Sequence, residues 1–497
     1  MRETLTVSPA VYAAAGAAMS YYGGTGPMRF GGVLLVMGVS FLCVLTQGPV
    51  WFLGDPKVHR RVRRSMVYLT ALYLGFGLGL GAGVPRPVRL GLPDAKITGV
   101  YGILQDDPRD PARSRAIGNL ALQSVSGPGG IRASAKGILT VFFPDEAVPG
   151  LREFGRGSEI YIEGTLFLFK ESRGNARGNL RGFRAQSVHI ARPAPALEQI
   201  RTGVRLYLMK RFAGPVWGGL ALALLTGIRD TLNTELSESY QYAGCSHVLA
   251  LSGMHLTIIA GVIARILKKP LGLMPSGIIG AACILVYVYL AGNLPSLTRA
   301  AIMYIAGAPG VLGRLPKQPA SLLGMTFLIQ LGLQPESGYS ISFMLSYSAL
   351  GGILFIGEAI YDLIRGSVPE FLARPLAASL GAFIATAAVI AMFFGMLRPV
   401  GILAGLVVMP LTALFMTAAL ILLALDAVAP FLISPCEMIL FGLYAILEKL
   451  TSLCALAPGI SVSGPAPAVF LSLGLLPVYL GLRAGQRLLR RDIAPFD

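Results

Sequence analysis

Residues 244–256 read Gly-Cys-Ser-His-Val-Leu-Ala-Leu-Ser-Gly-Met-His-Leu and interrupt what otherwise resembles the start of a membrane-spanning helix. The stretch holds two of the four histidines of the chain, a cysteine and a Ser-Gly pair. Polar side chains and helix breakers at membrane depth cost several kcal/mol unless they line a cavity or contact other protein. We therefore interpret the stretch as a functional element, with a satisfied structural kink as the alternative.

The composition of the whole chain indicates a polytopic membrane protein. Of 497 residues, 54% are hydrophobic and 13% are charged, and the mean hydropathy is +0.65. No soluble core of this size needs so much apolar surface. The net charge of +17 is expected to lie partly in cytoplasmic loops and partly beside an anionic ligand. The five cysteines show neither a disulfide framework nor zinc-ligand spacing.

The N-terminal domain is predicted to be transmembrane over residues 1–93. Apolar runs lie near 9–24, 30–53 and 65–83, and the first is short for a full span. Since a signal-peptide n-region and cleavage site are missing, we expect this run to remain as a span. The basic loop at 57–64 is placed in the cytoplasm by the positive-inside rule.

Residues 94–192 are predicted to form a small soluble β-domain. They contain about five short, β-branched and partly alternating runs, separated by Gly-, Pro- and Asp-rich breaks. The OB-fold is the commonest barrel of that size. Together with its surroundings, this gives the predicted fold class: a polytopic α-helical membrane protein with an inserted small OB-fold-like β-barrel. If the loop at 57–64 is inside, the third span delivers the barrel outside the cytoplasm.

A linker with an amphipathic helix, residues 193–215, leads into a second transmembrane domain, 216–497. Residues 197–212 carry Ile200 and Val204 on one face and Arg201 and Arg205 around the other, as for a helix on a membrane surface. The run at 216–228 is too short to span and is predicted to be a half-helix. Nine further spans, between 246 and 482, would give about twelve in all and place every strongly basic loop on the cytoplasmic side.

Two chemical interpretations of residues 244–256 are alternatives to a transport element. Ser252-Gly253 beside His255 is similar to the nucleophile motif of rhomboid intramembrane proteases, although Ala250 replaces the first glycine. A nucleophile and its base must lie within hydrogen-bond reach, with the base oriented by a third group, and the sequence shows no such group. A metal site from Cys245 and the histidines lacks a second ligand cluster.

Other polar residues within the apolar runs each have two interpretations. Arg299 follows a loop with Asn293 and Pro295, so it is either a snorkelling side chain or a cation at a pore mouth. Ser342 and Ser346 share a helix face, which suits either a wet path or interhelical hydrogen bonds.

A basic and aromatic segment in the β-domain suggests binding to single-stranded nucleic acid. Cationic side chains release counterions from phosphates, and aromatic rings stack under bases. A solvated basic hairpin tip is the alternative. The predicted DNA-binding residues are Lys170, Arg173, Arg177, Arg181, Arg184, Phe167, Phe169 and Phe183.

Several motifs in order resemble the ComEC-type competence proteins, which form an inner-membrane channel for DNA uptake in bacteria. The first is Ala-Leu-Leu-Thr-Gly-Ile-Arg at 223–229, followed by Tyr-Ala-Gly-Cys-Ser-His-Val-Leu-Ala-Leu-Ser-Gly-Met-His at 242–255. Pro-Ser-Leu-Thr-Arg-Ala-Ala-Ile-Met at 295–303 and Ser-Phe-Met-Leu-Ser at 342–346 resemble later family segments. Gly-Leu-Val-Val-Met-Pro-Leu at 405–411 is similar to another, although the family's asparagine is missing.

The resemblance implies passage of one DNA strand into the cytoplasm, with the OB-like domain outside receiving the DNA. Phosphates would meet backbone amides freed at Gly244 and Gly253 of a broken helix. The predicted channel and gate residues are Arg229, His247, Ser252, Gly253, His255, Arg299, Ser342 and Ser346. A degenerate member acting as a small-solute transporter or scaffold is a further alternative.

The resemblance also bounds the chemistry and the partners. Many members end in a metallo-β-lactamase-like domain, whereas this sequence stops at Asp497 and has no His-x-His-x-Asp-His. We therefore expect no nuclease activity, no catalytic residues, no cofactor and no metal in this chain. Without a Gly-x-x-x-x-Gly-Lys-Ser/Thr loop for ATP, a separate cytoplasmic helicase or ATPase would drive transport, beside a separate nuclease and DNA receptor.

Overall fold

The computed structural model describes residues 88–108, 116–144, 155–168, 181–292, 294–307 and 319–462, together with Ala147, Glu153 and four alanines between 13 and 18. The predicted spans at 30–53, 65–83 and 467–482 and the basic loop at 57–64 lie outside the described residues, as does most of the run at 9–24. The same is true of Lys170, Arg173, Arg177 and Phe169.

The β-domain is a closed five-stranded barrel. Its strands include β2 (Gly99–Leu104), β3 (Ala116–Ser126), β5 (Ile138–Phe143), β6 (Glu159–Leu168) and β7 (Arg181–Arg192), and the short β1 (Arg89–Leu90) and β4 (Arg132–Lys136) extend the sheet beside β3. The barrel closes in the order β2-β3-β5-β7-β6-β2, and only β5 and β7 are parallel. This Greek-key closure is the OB-fold arrangement.

Alternation along each strand fills the barrel. In β5 the residues Leu139, Val141 and Phe143 are buried, while their neighbours face outward. β2 and β6 contribute Val100 and Ile160 to the same core. Because the side-chain period of a strand is two, each strand gives one face to the core and one to the surroundings.

The membrane domain follows a surface helix, α1 (Ala196–Arg211), and its described residues form helices and one short strand pair, β8 (Met396–Leu397) with β9 (Ile460–Ser461). Its helices before residue 308 are α2 (Gly218–Thr226), α3 (Thr234–Tyr242), α4 (Ser246–Leu249), α5 (Gly253–Leu271), α6 (Leu273–Ala291) and α7 (Pro295–Gly307). The later helices are α8 (Pro319–Leu333), α9 (Ile341–Gly352), α10 (Glu358–Ile364), α11 (Glu370–Phe394), α12 (Val400–Val428) and α13 (Ile433–Ala455).

Five helices in the described part of the chain are long and apolar enough to cross a membrane. They are α6, α11, α12, α13 and the continuous helix Ile341–Ile364, in which a π-helical turn joins α9 to α10. That turn crosses α11 very closely, because a Cβ on Gly381 would lie 2.6 Å from the Gly357 backbone nitrogen. The predicted fold class, a helical membrane domain with an inserted small barrel, is confirmed.

The half-helix and the helix break expected from the sequence are both present. α2 has nine residues, about 13 Å, which is less than half of a hydrocarbon core. All nine are buried. The predicted span at 246–267 is interrupted, because Ala250 and Ser252 have extended backbone and α5 begins only at Gly253.

Candidate functional site

The start of α5 is held by a Ser-His cap. The Ser252 backbone N–H donates to His255 Nδ1 at 3.1 Å, and the Ser252 hydroxyl lies 3.0 Å from the same nitrogen. Because Nδ1 accepts from a backbone N–H, it carries no proton, and the neutral ring must carry its proton on Nε2. The His255 side chain is fully buried, and its Nε2 has no hydrogen-bond partner among the described residues.

Arg299 on α7 lies against the same helix start. Its Nη2 is 3.6 Å from the position that a Cβ on Gly253 would take, an ordinary contact distance, so the guanidinium lies directly beside the cap. Arg299 is only 9% exposed. Its guanidinium stands over the Tyr347 ring, 5.8 Å from the centroid. Within the described part of the chain, Arg299 forms no ion pair and its Nε has no hydrogen-bond partner.

A chain of hydrogen bonds fixes these groups in place. The Ser296 hydroxyl donates to the Leu251 carbonyl at 2.7 Å, which ties α7 to the break before α5. Gln330 on α8 is fully buried and donates to the Pro295 carbonyl, while its side-chain oxygen accepts from the Tyr347 hydroxyl. We call Ser252, His255, Arg299, Gln330 and Tyr347 the intramembrane polar cluster.

The other predicted gate residues lie around this cluster or away from it. Arg229 is exposed and within electrostatic range of His255. His247 on α4 is also exposed. On α9, Ser342 is exposed and Ser346 is half-buried. Ser346 directly precedes Tyr347 in the sequence.

The expectation of a free amide at Gly244 is wrong. Its N–H donates to the Gln241 carbonyl at 3.1 Å, as in an ordinary helix ending. Its backbone packs against Gly401 at the start of α12, where a Cβ on Gly244 would lie 2.9 Å from the Gly401 Cα. Gly244 therefore forms a close contact with α12. Of the two glycines, only Gly253 lies at the polar cluster.

The Ser-His pair does not have the arrangement of a hydrolase. In a Ser-His-Asp triad, the second ring nitrogen of the base is held by a carboxylate. Here His255 Nδ1 is shared between the serine hydroxyl and a backbone N–H, and no carboxylate in the described part of the chain meets Nε2. No group of three or more potential metal ligands occurs among the described residues either.

The barrel presents an aromatic and cationic surface where β5, β6 and β7 meet. The rings of Phe142 and Phe167 lie 5.6 Å apart between centroids, and the Arg184 guanidinium stands over Phe167 at 5.7 Å. Phe183 must be removed from the predicted set, because its side chain is fully buried in the barrel core and offers no ring face. Arg181 is at the rim, paired with Asp94 at 2.8 Å.

Phe142 is a surface residue that the sequence reasoning missed. It follows Val141 and precedes Phe143, both of which are buried. The alternation of the strand was the available signal, because it places residue 142 on the outward face.

The barrel is joined to the membrane domain by an ion-pair hub at Asp107. Arg201 on α1 donates to both oxygens of Asp107, at 2.7 and 3.2 Å, and Arg205 pairs with it at 3.1 Å. The Arg201 Nε also donates to the Tyr289 carbonyl near the end of α6. One guanidinium thus binds the barrel loop and the membrane helix together.

A second pair braces the same junction. Arg156 of the barrel donates to Glu198 on α1 at 2.6 Å, stands over the Tyr289 ring, and donates its backbone N–H to Asp107. Gly155 has φ +68°, and a Cβ there would collide with the Thr202 hydroxyl on α1. The approach of barrel to helix is therefore close enough to require glycine.

The charge of Asp107 is maintained by its partners. Burial of the Asp107 carboxylate raises its pKa, but the hydrogen bond from Arg201 and the charges of Arg205 and Arg201 outweigh burial. The net result is a pKa below the ordinary value of an aspartate. The prediction that Arg201 lies on an outward polar face of α1 is wrong: it is 3% exposed, while Ile200 and Val204 are exposed.

Fold and site together define a multi-pass membrane protein that carries an OB-type barrel and a buried polar cluster at a broken helix. A family model described as "Competence protein" matches residues 224–487, more than half of the chain. The chain belongs to the competence protein family, and the resemblance read from its motifs is confirmed.

Two relatives are similar over parts of the chain. ComE operon protein 3 of Bacillus subtilis (strain 168) is 28% identical over 168 residues, which are 33% of this chain and 21% of that protein. An uncharacterized protein of Aquifex aeolicus (strain VF5) is 28% identical over 302 residues, 59% of this chain and 70% of that protein. The chain thus matches about a fifth of the first relative's length. No solved structure matches the chain significantly.

Proposed function

We propose that this protein takes up DNA across the bacterial inner membrane during natural transformation, by passing a single strand into the cytoplasm. The observation that carries the proposal is the OB-type barrel fixed directly onto a membrane domain of the competence family. OB-folds bind oligonucleotides across their second and third strands and adjoining loops. In this barrel those strands are β3 and β5, and β5 carries Phe142.

The barrel surface supports reception of a single strand. Stacking on aromatic rings and attraction of phosphates to arginine are the two interactions that bind single-stranded nucleic acid without sequence preference. Phe142, Phe167 and Arg184 supply both within one patch. The predicted Lys170, Arg173, Arg177 and Phe169 follow β6 in the sequence, outside the described residues, and remain part of the proposal.

Features of the membrane domain support a path for the DNA strand that ends in the cytoplasm. Its broken helix brings Gly253, His255 and Arg299 together inside the helical bundle, with Arg229 near them. His247, Ser342 and Ser346 remain proposed wall residues. A separate nuclease would supply the single strand, a DNA receptor would deliver it, and a cytoplasmic helicase or ATPase would pull it.

Deletion and complementation in a naturally competent host test this function against the hydrolase alternative. The deletion strain is expected to lose uptake of labelled DNA, and the wild-type gene should restore it. Ser252→Ala should restore most uptake, because it costs a helix cap worth about 1 kcal/mol and leaves His255 and Arg299 unchanged. Ser367→Ala, at an exposed serine, is the matched control.

Two results would contradict the proposal. Normal uptake in the deletion strain would rule out the transport role. Complete loss with Ser252→Ala, at a normal protein level and with full activity of the control, would favour a serine hydrolase.

A further inference from the structure

The intramembrane polar cluster contains more hydrogen-bond donors than acceptors. His255 is fully buried and its Nε2–H has no partner, and the same holds for the Nε–H of Arg299 and the hydroxyl of Thr298, among the described residues. Buried donors in proteins are almost always paired. Three unpaired polar groups on the α5 start and the first turns of α7 indicate that a ligand completes the cluster.

The charge of the cluster specifies the ligand. Arg299 is buried, and within the described part of the chain no carboxylate pairs with it. An arginine keeps its proton in proteins, so its charge must be balanced by an anion. The beginning of α5 adds backbone N–H groups and the positive end of a helix of 19 residues.

The chemistry of the donors suits a tetrahedral oxyanion. The arginine fork presents several N–H groups in one plane, which suits phosphate oxygens. The Tyr347 ring, fixed by its bond to Gln330, lies on one side of the guanidinium, and the Cα of Gly253 lies near its Nη2. His255 Nε2–H is neutral, so it can donate to a phosphate without binding it too tightly to release.

We propose that Arg299, His255 and the start of α5 form a binding site for one phosphate group of the DNA backbone. This inference rests on the proposed function only in naming DNA as the source of the phosphate. A phosphodiester would be held there transiently as the strand passes. Binding to the single site would then be repeated at each successive phosphate.

Thermal unfolding of the purified full-length protein in detergent tests the site without any uptake assay. Inorganic phosphate, compared with chloride at equal ionic strength, should raise the wild-type Tm of this chain of 497 residues by about 1 °C or more at tenfold over the dissociation constant. Arg299→Gln should abolish that rise. In chloride, Arg299→Gln should be at least as stable as wild type, because it removes an unbalanced buried charge. Arg132→Gln, at an exposed arginine of the barrel, is the matched control and should keep the rise.

Several outcomes would overturn the site. No phosphate effect in the wild type, or an equal effect in Arg299→Gln, would show that no phosphate binds there. An Arg299→Gln protein that is less stable than wild type in chloride, or fails to fold, would show that Arg299 is structural. Short oligothymidylate should act like phosphate; stabilisation by phosphatidylglycerol alone would assign the site to lipid. If the purified protein binds phosphate but deletion of its gene leaves DNA uptake normal, the binding site would stand and the proposed function would be refuted.

Discussion

At the scale of single residues, the barrel surface shows how strand parity selects functional side chains. Phe142 and Phe143 are adjacent, yet one contacts Phe167 on the surface and the other is buried in the core. Phe183 is likewise directed inward, while Arg184 beside it stands over Phe167. A shift of one residue in either strand would exchange a binding side chain for a core side chain.

Arg184 is predicted to contact a phosphate of single-stranded DNA. Arg184→Gln in the full-length protein should weaken oligothymidylate binding and reduce the slope of log affinity against log salt by about 0.7, the value for one phosphate contact on a single strand. Fluorescence anisotropy across a salt series measures this slope. Arg132→Gln, at an exposed arginine of β4, should leave it unchanged. An unaltered slope with Arg184→Gln would mean that the patch does not meet the backbone.

At the scale of elements, α1 acts as the coupling between barrel and membrane domain. Ile200 and Val204 are exposed, whereas Leu208 and Met209 pack against the core of the membrane domain. On the inward side Arg201 meets Asp107, and Arg211 meets Asp426 of α12 at 2.6 Å. A helix with apolar and basic faces was evident from the sequence. Which face would be buried was not, because the sequence does not show that carboxylates from distant segments lie beneath it.

Asp107→Asn is predicted to loosen this coupling at neutral pH. Removing one partner of a well-buried ion pair costs about 3 kcal/mol, so amide hydrogen exchange in α1 should accelerate at pH 7. Asp106→Asn, whose carboxylate instead accepts a bond from Asn119, is the neighbouring control. Equal exchange in both variants would show that the hub contributes nothing to docking.

The same coupling is predicted to resist acid. The folded-state pKa of Asp107 lies below its ordinary value, so the stabilisation is complete above about pH 3.9, the unfolded value, and is lost as pH falls through the folded value. Amide hydrogen exchange in α1 of the wild type, corrected for the intrinsic rate, should therefore be the same at pH 7 and pH 5. Loosening already at pH 5 would contradict the assignment.

At the scale of the whole molecule, α6 fixes which parts lie on opposite sides of the membrane. Its C-terminal end is bonded to Arg201 beside the barrel, and its N-terminal end follows Gly272 and the basic end of α5. Its 19 residues extend about 28 Å, close to the thickness of a hydrocarbon core. We therefore expect the barrel and Lys269 to lie about one membrane thickness apart.

Cysteine labelling is predicted to place these two regions on opposite faces. Gln186→Cys on the barrel should react with a membrane-impermeant maleimide in intact spheroplasts. Lys269→Cys should react only after permeabilisation, since basic loops remain in the cytoplasm. The unsubstituted protein controls for its native cysteines. Labelling of both positions from the same side would overturn the topology.

The sequence by itself determined the class of the protein and much of its architecture. Hydropathy distinguished membrane helices from the β-domain, alternation predicted the barrel, and the Ser-Gly pair at 252–253 predicted the broken helix. These properties are local, since they depend on residues within one helix or strand. Spaced motifs were enough to indicate the family as well.

Only the tertiary structure decided which polar residues meet. Asp107 and Arg201 are 94 positions apart, and Arg299 reaches Gly253 from another helix. It also distinguished Gly253, which lies beside a guanidinium, from Gly244, which allows the backbone of α12 to approach closely. The physical reason is that pairing, burial and close approach depend on distances between elements, and those distances are set by packing rather than by spacing along the chain.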